Sequence, residues 1–498
     1  MSRHSTHLSS YLKSRREKTL NTDNRATSSP SKSTVSTASA SAVRHKSHGN
    51  VGTKNSNQNN GKPTSKFSKA GVDFILPPEL VSKIFSFLTP SEILVCARVC
   101  KCWNDVSNEM SLWLRHYNLI PRCVRDSILP NERTSPTFTW KTEIINRTVL
   151  HRNRKVKSIL KKVKPYSGLP AGIEQSLKFL SLKWQLDFRD KDGNVYSFLN
   201  DDLFYFATST TARWCTIELP PTPKLKSLLI SARTAVFYHR DWKPHSDSAT
   251  RKSLLISFEL KDLKLSKQNC ASEDEMITLH TVQPGVMVAV WKHSWKTGGE
   301  LAWVSVCFHY HQLLEKILRG TTESVYRPPP HQPTLDDIDP FYGLQRYSAT
   351  VELRSQRKLF WGNHYRELYQ KSFDEDGLVL ESHKEQEGMF TVKTSLPWKT
   401  AIFKNILNDM AVLDVTLLDE HKAPMWCIST AVKVAKLARN EVDYTLLDGE
   451  SSLVEYQDEV GRLRIHLVWM EDDSQNLVKS LEIQLRKDVI NKWFGTNY

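Results

Sequence analysis

The apolar positions divide the chain into a long polar leader, a short helical block and an extended remainder with strand-like texture. Leu80, Ile84, Phe87 and Leu88 recur at offsets of 0, 4, 7 and 8, which is one face of a helix. Pro77 and Pro78 stand where a first helical turn tolerates proline. Thr89-Pro90-Ser91-Glu92 predicts a second helix, with Thr89 as cap, Pro90 at the first helical position and Glu92 reaching back to the cap. Ile93, Ala97, Cys100 and Trp103 continue that helix along one face, and Leu112, Trp113 and Tyr117 supply a third. Three helices in about 45 residues enclose little apolar area, so this block is expected to lean on a partner.

A further helix is predicted over 138–164, ended by Pro165 and Gly168-Leu169-Pro170, with its basic late half as a solvated face. From about residue 175 the pattern changes to short runs rich in β-branched and aromatic residues. These fall at 183–188, 255–258, 286–291, 302–306, 350–353, 413–417, 465–469 and 481–485. Turn signals lie among them at Asp192-Gly193-Asn194, Thr297-Gly298-Gly299, Asp376-Gly377 and Asp448-Gly449. Residues 312–318 read as a helix, and the prolines at 328–333 as an extended connection. The predicted fold class is therefore α+β and multidomain. It comprises a disordered basic tail over 1–70, a small all-α block over 71–118 and a linker with a basic helix over 119–170. A mainly antiparallel β domain, sandwich or barrel-like, follows over 171–498.

Charge sharpens this division. The net charge of the 498 residues is +15, but residues 1–70 alone carry 13 Lys and Arg against two acids, Glu17 and Asp23. Residues 147–164 add eight cations and no acid, which leaves the rest slightly acidic. The basic balance thus belongs to two segments, and nucleic-acid binding by the body of the chain is not expected. The tail has only two aromatics, Tyr11 and Phe67, too little apolar surface to offset the entropy of ordering it. The basic run Lys13 to Lys18 reads as solvated tail before it reads as an import signal. No apolar run of ~18 residues predicts a membrane span. The first residues lack an apolar h-region, so secretion is not expected. Eight irregularly spaced cysteines then read as reduced thiols of a cytoplasmic and/or nuclear protein.

Chemistry-bearing motifs are scarce. There is no phosphate-binding Gly-Lys-Ser/Thr loop, no Gly-x-Ser-x-Gly elbow, no His-Glu-x-x-His and no Cys-x-x-Cys. Cys96 and Cys100, four apart, are expected to be small buried thiols on one helical face, not zinc ligands. His309 and His311 are assigned structural roles, and Asp336, Asp337 and Asp339 are read as solvated loop acids without the spacing of a calcium loop. The 11 Trp residues after position 170 are expected to fill a β core. No catalytic, metal-binding or cofactor-binding residue is assigned, so an enzyme is not expected.

Leu76-Pro77-Pro78-Glu79-Leu80, Ile84-Phe85, Leu88, Ile93-Leu94, Ala97, Val99-Cys100, Trp103 and Leu112-Trp113 together resemble an F-box in residue type, order and spacing. The resemblance covers about a tenth of the chain. It implies binding to a Skp-type adaptor, and through it to the cullin and RING subunits of a ubiquitin ligase, with a protein substrate held by the downstream region. It assigns adaptor binding to Leu76, Pro77, Leu80, Ile84 and Leu88, with Ile93, Leu94 and Trp113 completing the module and Trp103 in its core. Neither a leucine-rich nor a propeller repeat follows, which places the chain in the F-box only class. Three further segments, at 340–344, 396–400 and 424–427, resemble one branch of that class. The competing reading is a nucleic-acid or chromatin-associated protein acting through its two basic segments, although neither segment interleaves aromatics with its charges. Loops at 296–300, 326–341 and 420–425 are the candidate substrate-recognition surfaces.

Overall fold

The computed structural model describes residues 76–121, 124, 138–160, 162–218, 224–239, 241–259, 270–271, 274, 276–291, 300–320, 324–327, 329–333, 341–382, 389–396, 404–437 and 450–498. The expected disordered tail, the turns at 297–299 and 448–449, the acids at 336–339 and most of the 296–300 loop lie outside those residues.

Helix α1, Pro78–Phe85, starts directly after the extended Pro77 and turns Val81 and Phe85 inward. Helix α2, Pro90–Cys96, opens with the predicted reciprocal cap: the Thr89 hydroxyl accepts the Glu92 N–H, and the Glu92 carboxylate accepts the Thr89 N–H at 2.7 Å. The long second helix of the sequence reading is broken. Cys100 is extended, with φ −153° and ψ 170°, and its sulfur accepts the Trp103 N–H at 3.5 Å, capping a separate helix α3, Lys101–Ser107. That bond satisfies a first-turn N–H of α3 that would otherwise be orphaned, while the preceding helix has already ended at Cys96. Cys96 and Cys100 therefore sit on different elements, and Cys100 is exposed, not buried. Helix α4, Met110–Leu119, completes four helices where three were expected.

Helix α5, Trp140–Ile159, begins at Thr139, whose hydroxyl accepts the Thr142 N–H. Its basic half is not simply a solvated face. Arg147 is buried against Glu143 at 2.6 Å. Arg152 is fully buried and donates to Thr234 Oγ1 at 3.1 Å and the Ala235 carbonyl at 2.7 Å. Each buried arginine meets oxygen acceptors, Arg147 on its own helix and Arg152 across the fold, which offsets the cost of burying the charge.

Both β architectures offered by the sequence are present. The strands β1 (Lys183–Asp190), β2 (Val195–Leu199), β5 (Leu225–Ala235) and β6 (Thr250–Glu259) form a four-stranded sheet in the order β2-β1-β5-β6, where β3 and β4 are Asp202–Tyr205 and Ser209–Trp214. The latter two join β7 (Cys270–Ala271), β8 (Ile277–Gln283), β9 (Val286–Trp291) and β10 (Glu300–His309) in a six-stranded sheet, order β3-β4-β10-β9-β8-β7. Trp184, Leu186, Phe188, Leu228 and Ile230 of the first sheet pack with Trp214, Val288, Val304 and Val306 of the second. Helix α6, Ile173–Phe179, and helix α7, Tyr310–Arg319, add Leu177, Leu313 and Ile317 to this sandwich core.

The barrel is built from β11 (Tyr347–Arg354), β12 (Leu359–Asp374), β13 (Gly377–Glu381), β17 (Met410–Leu418), β18 (Pro424–Lys436), β19 (Ser451–Gln457), β20 (Gly461–Met470) and β21 (Gln475–Leu485). Here β14, β15 and β16 are the two-residue strands Met389–Phe390, Thr394–Ser395 and Ile406–Leu407. All the pairings are antiparallel, and β13 pairs with β21 through Leu378↔Leu485 to Glu381↔Glu482, which closes eight strands on themselves. At the β12–β13 turn Gly377 has φ +133°, and a Cβ there would lie 2.0 Å from the Leu485 carbonyl oxygen, so only glycine lets the closing strands approach. Side chains fill the interior, and helix α8, Lys487–Phe494, plugs one end with Ile490 and Phe494. The other face of the six-stranded sheet packs on the barrel through Ile277, Met287 and Trp303 against Leu396, Met410 and Val412.

The helical block does not stand alone, and the partner it needs is supplied by its own chain. Val236 and Phe237, just beyond β5, are buried in one core with Val81, Phe85, Ile93, Trp113, Ile144 and Val149. Ser91 Oγ also donates to the Asp247 carbonyl at 2.8 Å, joining α2 to the β5–β6 connection.

Candidate functional site

The helical block is inverted relative to an ordinary surface: much of what it shows to solvent is apolar. Of the 16 large apolar side chains exposed among the described residues, eight lie between Leu80 and Leu119. Patches of that kind mark protein-interaction surfaces. Leu80 and Ile84, 51% and 49% exposed, lie one turn apart on the outer face of α1, and Phe87, 73% exposed, extends their line. Val95, Val99, Met110, Leu114 and Leu119 contribute the rest.

The inner faces hold this surface in shape. Phe85 meets Trp103 edge-on at 5.5 Å, and Trp113 Nε1 donates to the Ser107 carbonyl at 2.6 Å. Ser82 Oγ donates to Glu109 Oε2 at 2.6 Å, tying α1 to the start of α4. Cations frame the most exposed ring, with Lys83 Nζ 5.7 Å and Arg115 Cζ 5.9 Å from the Phe87 centroid. The Thr89 N–H at the α2 cap holds the Glu92 carboxyl below its ordinary pKa. Burial, then the neighbouring Arg115, lowers the pKa of His116 behind the surface.

The eight residues assigned to the adaptor-binding module fall into three groups. Pro77, Leu80 and Ile84 are exposed. Leu76, Leu88 and Leu94 are half-buried against the helical core. Ile93 and Trp113, at 0% and 1% exposure, are enclosed by that core and have no surface to offer a partner. Phe87, Val95, Val99, Met110, Leu114 and Leu119 were not singled out for contact. The signal for Phe87 was present, since it continues the 80, 84 periodicity, but a helical face alone does not say whether it points in or out.

The other candidates resolve as structural groups. His309 Nε2 bonds Thr416 Oγ1 at 2.8 Å, and His311 Nε2 bonds the Ser167 carbonyl at 2.9 Å, while the two rings stack at 5.4 Å. Both nitrogens are thus engaged in packing the sandwich on its neighbours. Among the described residues no cluster of three His, Cys, Asp or Glu is arranged to hold a metal. Trp184, Trp214, Trp303 and Trp426 lie in β cores. The 420–425 loop is well supported: Ala423 N donates to Asp419 Oδ1 at 2.8 Å, and Tyr342 Oη bonds His421 Nε2 at 3.1 Å.

The F-box-like family matches residues 74–119, the same stretch that carries the exposed apolar face. The chain is 31% identical over 445 residues to F-box only protein 15 of Macaca fascicularis, covering 85% of this chain and 100% of that one. The chain belongs to the F-box only protein 15 family. The human F-box only protein 15 is 30% identical over 445 residues, 85% of each chain, and that of Mus musculus 23% over 444 residues, 84% of this chain and 100% of the mouse one. The human F-box only protein 6 shares 32% identity over 89 residues, 17% of this chain and 28% of its own. The long alignments extend well past the 46-residue F-box, so the family likeness includes the sandwich and barrel.

Proposed function

We propose that the chain is the non-catalytic substrate-recognition subunit of a Skp–cullin–F-box type ubiquitin ligase. The observation that carries this reading is the exposed apolar line Leu80–Ile84–Phe87 on a helical block that matches the F-box. Burying a Leu or Ile side chain is worth about 1.5–3 kcal/mol, so two of them half-exposed give an adaptor roughly a hundredfold in affinity. Leu76 and Pro77 lead into the same face. The adaptor brings the cullin and RING subunits, and the charged conjugating enzyme they recruit supplies the chemistry, so the chain needs no nucleophile of its own. The sandwich and barrel form the platform for a protein substrate, with the 420–425 loop as one candidate contact. The site of action is then the cytoplasm and/or nucleus.

The test is co-purification of the full chain with the adaptor. Leu80→Asp with Ile84→Asp, and separately Leu76→Ala with Pro77→Ala, should remove the adaptor while leaving the thermal transition in place. Retained adaptor in a folded Leu80→Asp, Ile84→Asp variant would sink the assignment. Truncation near residue 170 is not a clean alternative, because it deletes Val236 and Phe237 from the F-box core.

A further inference from the structure

The outward side of α5 and the segment after it form a continuous cationic strip that the adaptor reading does not use. Once Arg147 and Arg152 have turned inward, Arg154, Lys155, Lys157, Lys162 and Lys164 remain exposed. No acid occurs between residues 147 and 164, and Glu143, just before, is already bonded to Arg147. Elsewhere many surface cations are matched, as in Arg319–Glu315, Lys371–Glu381 and Lys436–Glu450. The strip ends at the mouth of a cleft of about 510 Å³, lined by Lys164, Pro170, Gln175 and Tyr310 and by Lys178 and Glu174, which pair with each other at 2.6 Å.

At its other end stands Trp242, a bulky residue at φ +63°, a left-handed conformation that such side chains rarely adopt. The turn holds it there: Trp242 N donates to the His239 carbonyl at 3.0 Å, and His239 N to the Lys243 carbonyl at 2.8 Å. Its ring stacks on His151 of α5 at 5.1 Å and 19°, abuts Phe179 at 5.4 Å, and has Lys155 Nζ 6.0 Å from its centroid. The fold thus spends a strained residue to fix α5 and to set Lys155 at the edge of an aromatic platform.

We propose that this strip binds an acidic, Asp- and Glu-rich segment of a protein partner. The inference deepens the substrate-receptor reading and rests on it for the partner being a protein. The charges are complementary to a polyanion. The Trp242 ring is stacked on His151 and flanked by Phe179 and Lys155, so its contacts within the fold compete with stacking on a nucleobase. Four of the five exposed cations are lysines, which give sequence-tolerant point charges suited to scattered carboxylates more than the bidentate forks that single out one phosphate.

The probe is a fluorescein-labelled peptide of alternating Glu and Asp, about twelve residues long, titrated by anisotropy onto the full chain bound to its adaptor. The parent should bind, and Lys155→Glu, Lys157→Glu, Lys162→Glu, Lys164→Glu together should weaken binding at least about tenfold. The same number of reversals in the tail, at Lys13, Arg15, Arg16 and Lys18, should weaken it less than about threefold. Equal losses from the two variants would overturn the proposal, because the peptide would be reading net charge alone. Unlabelled poly(U) that binds tighter than the peptide through the same four lysines would also overturn it, in favour of nucleic acid. Both variants should keep the adaptor. A parent chain that holds the adaptor but does not bind the peptide counts against the strip alone, whereas a parent chain that never binds the adaptor counts against the ligase reading.

Discussion

Arg354 and Asp414 form an ion pair at 2.5 Å with neither side chain exposed, and its hydrogen bonds join the barrel to the sandwich. Ser209 and Thr211 of β4 complete it: Ser209 Oγ donates to Asp414 Oδ2 at 2.7 Å, and Arg354 donates to Thr211 Oγ1 at 3.0 Å. Ser429 of β18 donates to the other carboxylate oxygen at 2.6 Å. The guanidinium also lies over the Phe206 ring at 3.9 Å. Burial opposes its charge, but Asp414 beside it outweighs that cost and raises its pKa. Removing one partner strands the other charge in the seam, which costs about 3–5 kcal/mol. Asp414→Leu should therefore lower the unfolding free energy read from urea titration by about that amount. Arg354→Met with Asp414→Leu should recover most of the loss. A single variant within about 1 kcal/mol of the parent would show the pair to be energetically idle.

The contrast between Leu80 and Trp113 separates contact from support. Trp113→Ala removes a fully buried ring and its bond to Ser107, at about 3–5 kcal/mol, so both the thermal transition and adaptor binding should fall. Leu80→Asp changes an exposed position and should abolish adaptor binding with a transition within about 0.5 kcal/mol of the parent. Circular dichroism melting alongside adaptor pull-down distinguishes the two. A Leu80→Asp chain that melts as early as Trp113→Ala would place Leu80 in the core.

The helix starts were legible because their signals are local. The Thr89–Glu92 cap needs only four residues, and both of its reciprocal bonds formed. Strands such as β17, buried along its whole length, were visible from β-branched composition. The break at Cys100 was not legible, since cysteine is a weak capping residue and the apolar periodicity runs straight through it. Nor was the inward turn of Arg152, because its acceptors lie at residues 234 and 235, across the fold. The same distance hid the sharing of the F-box core with Phe237. A sequence can show that a face is apolar, but which side of it meets the rest of the chain is settled by contacts remote in sequence.

Phe237 makes the F-box depend on the sandwich. It is buried with Val236 among the F-box core side chains, and Ser248 Oγ accepts its N–H at 2.9 Å. Phe237→Ala should cost about 3–5 kcal/mol and loosen the helical block without touching its outer face. Amide hydrogen exchange should rise in α1 to α4 and leave the barrel strands protected. Uniform exchange across both regions would mean that the residue supports the whole fold and not this junction.

Glu352 should give the fold a pH dependence opposite in sign to that of a usual carboxylate. It faces Asp414 across the β11–β17 pair and accepts only a long bond, 3.4 Å, from Thr208 Oγ1. Burial, and then the negative charge of Asp414, raise its pKa from 4.5 to about 7, against the opposing pull of Arg354. The folded chain thus holds a proton that the unfolded chain has released between these two values. Its contribution to stability is fully present below about pH 4.5 and is lost as pH rises through about 7. The amplitude is about 3.5 kcal/mol at most, because a shift of one unit corresponds to about 1.4 kcal/mol. Glu352→Gln keeps the shape and removes the titration. Urea midpoints at intervals from about pH 4.5 to about pH 8 should therefore show the variant gaining on the parent as pH rises, with the gap widest above neutrality. A gap that stays constant across that window would mean Glu352 ionises alike in both states, and the polar seam would then be indifferent to pH at this residue.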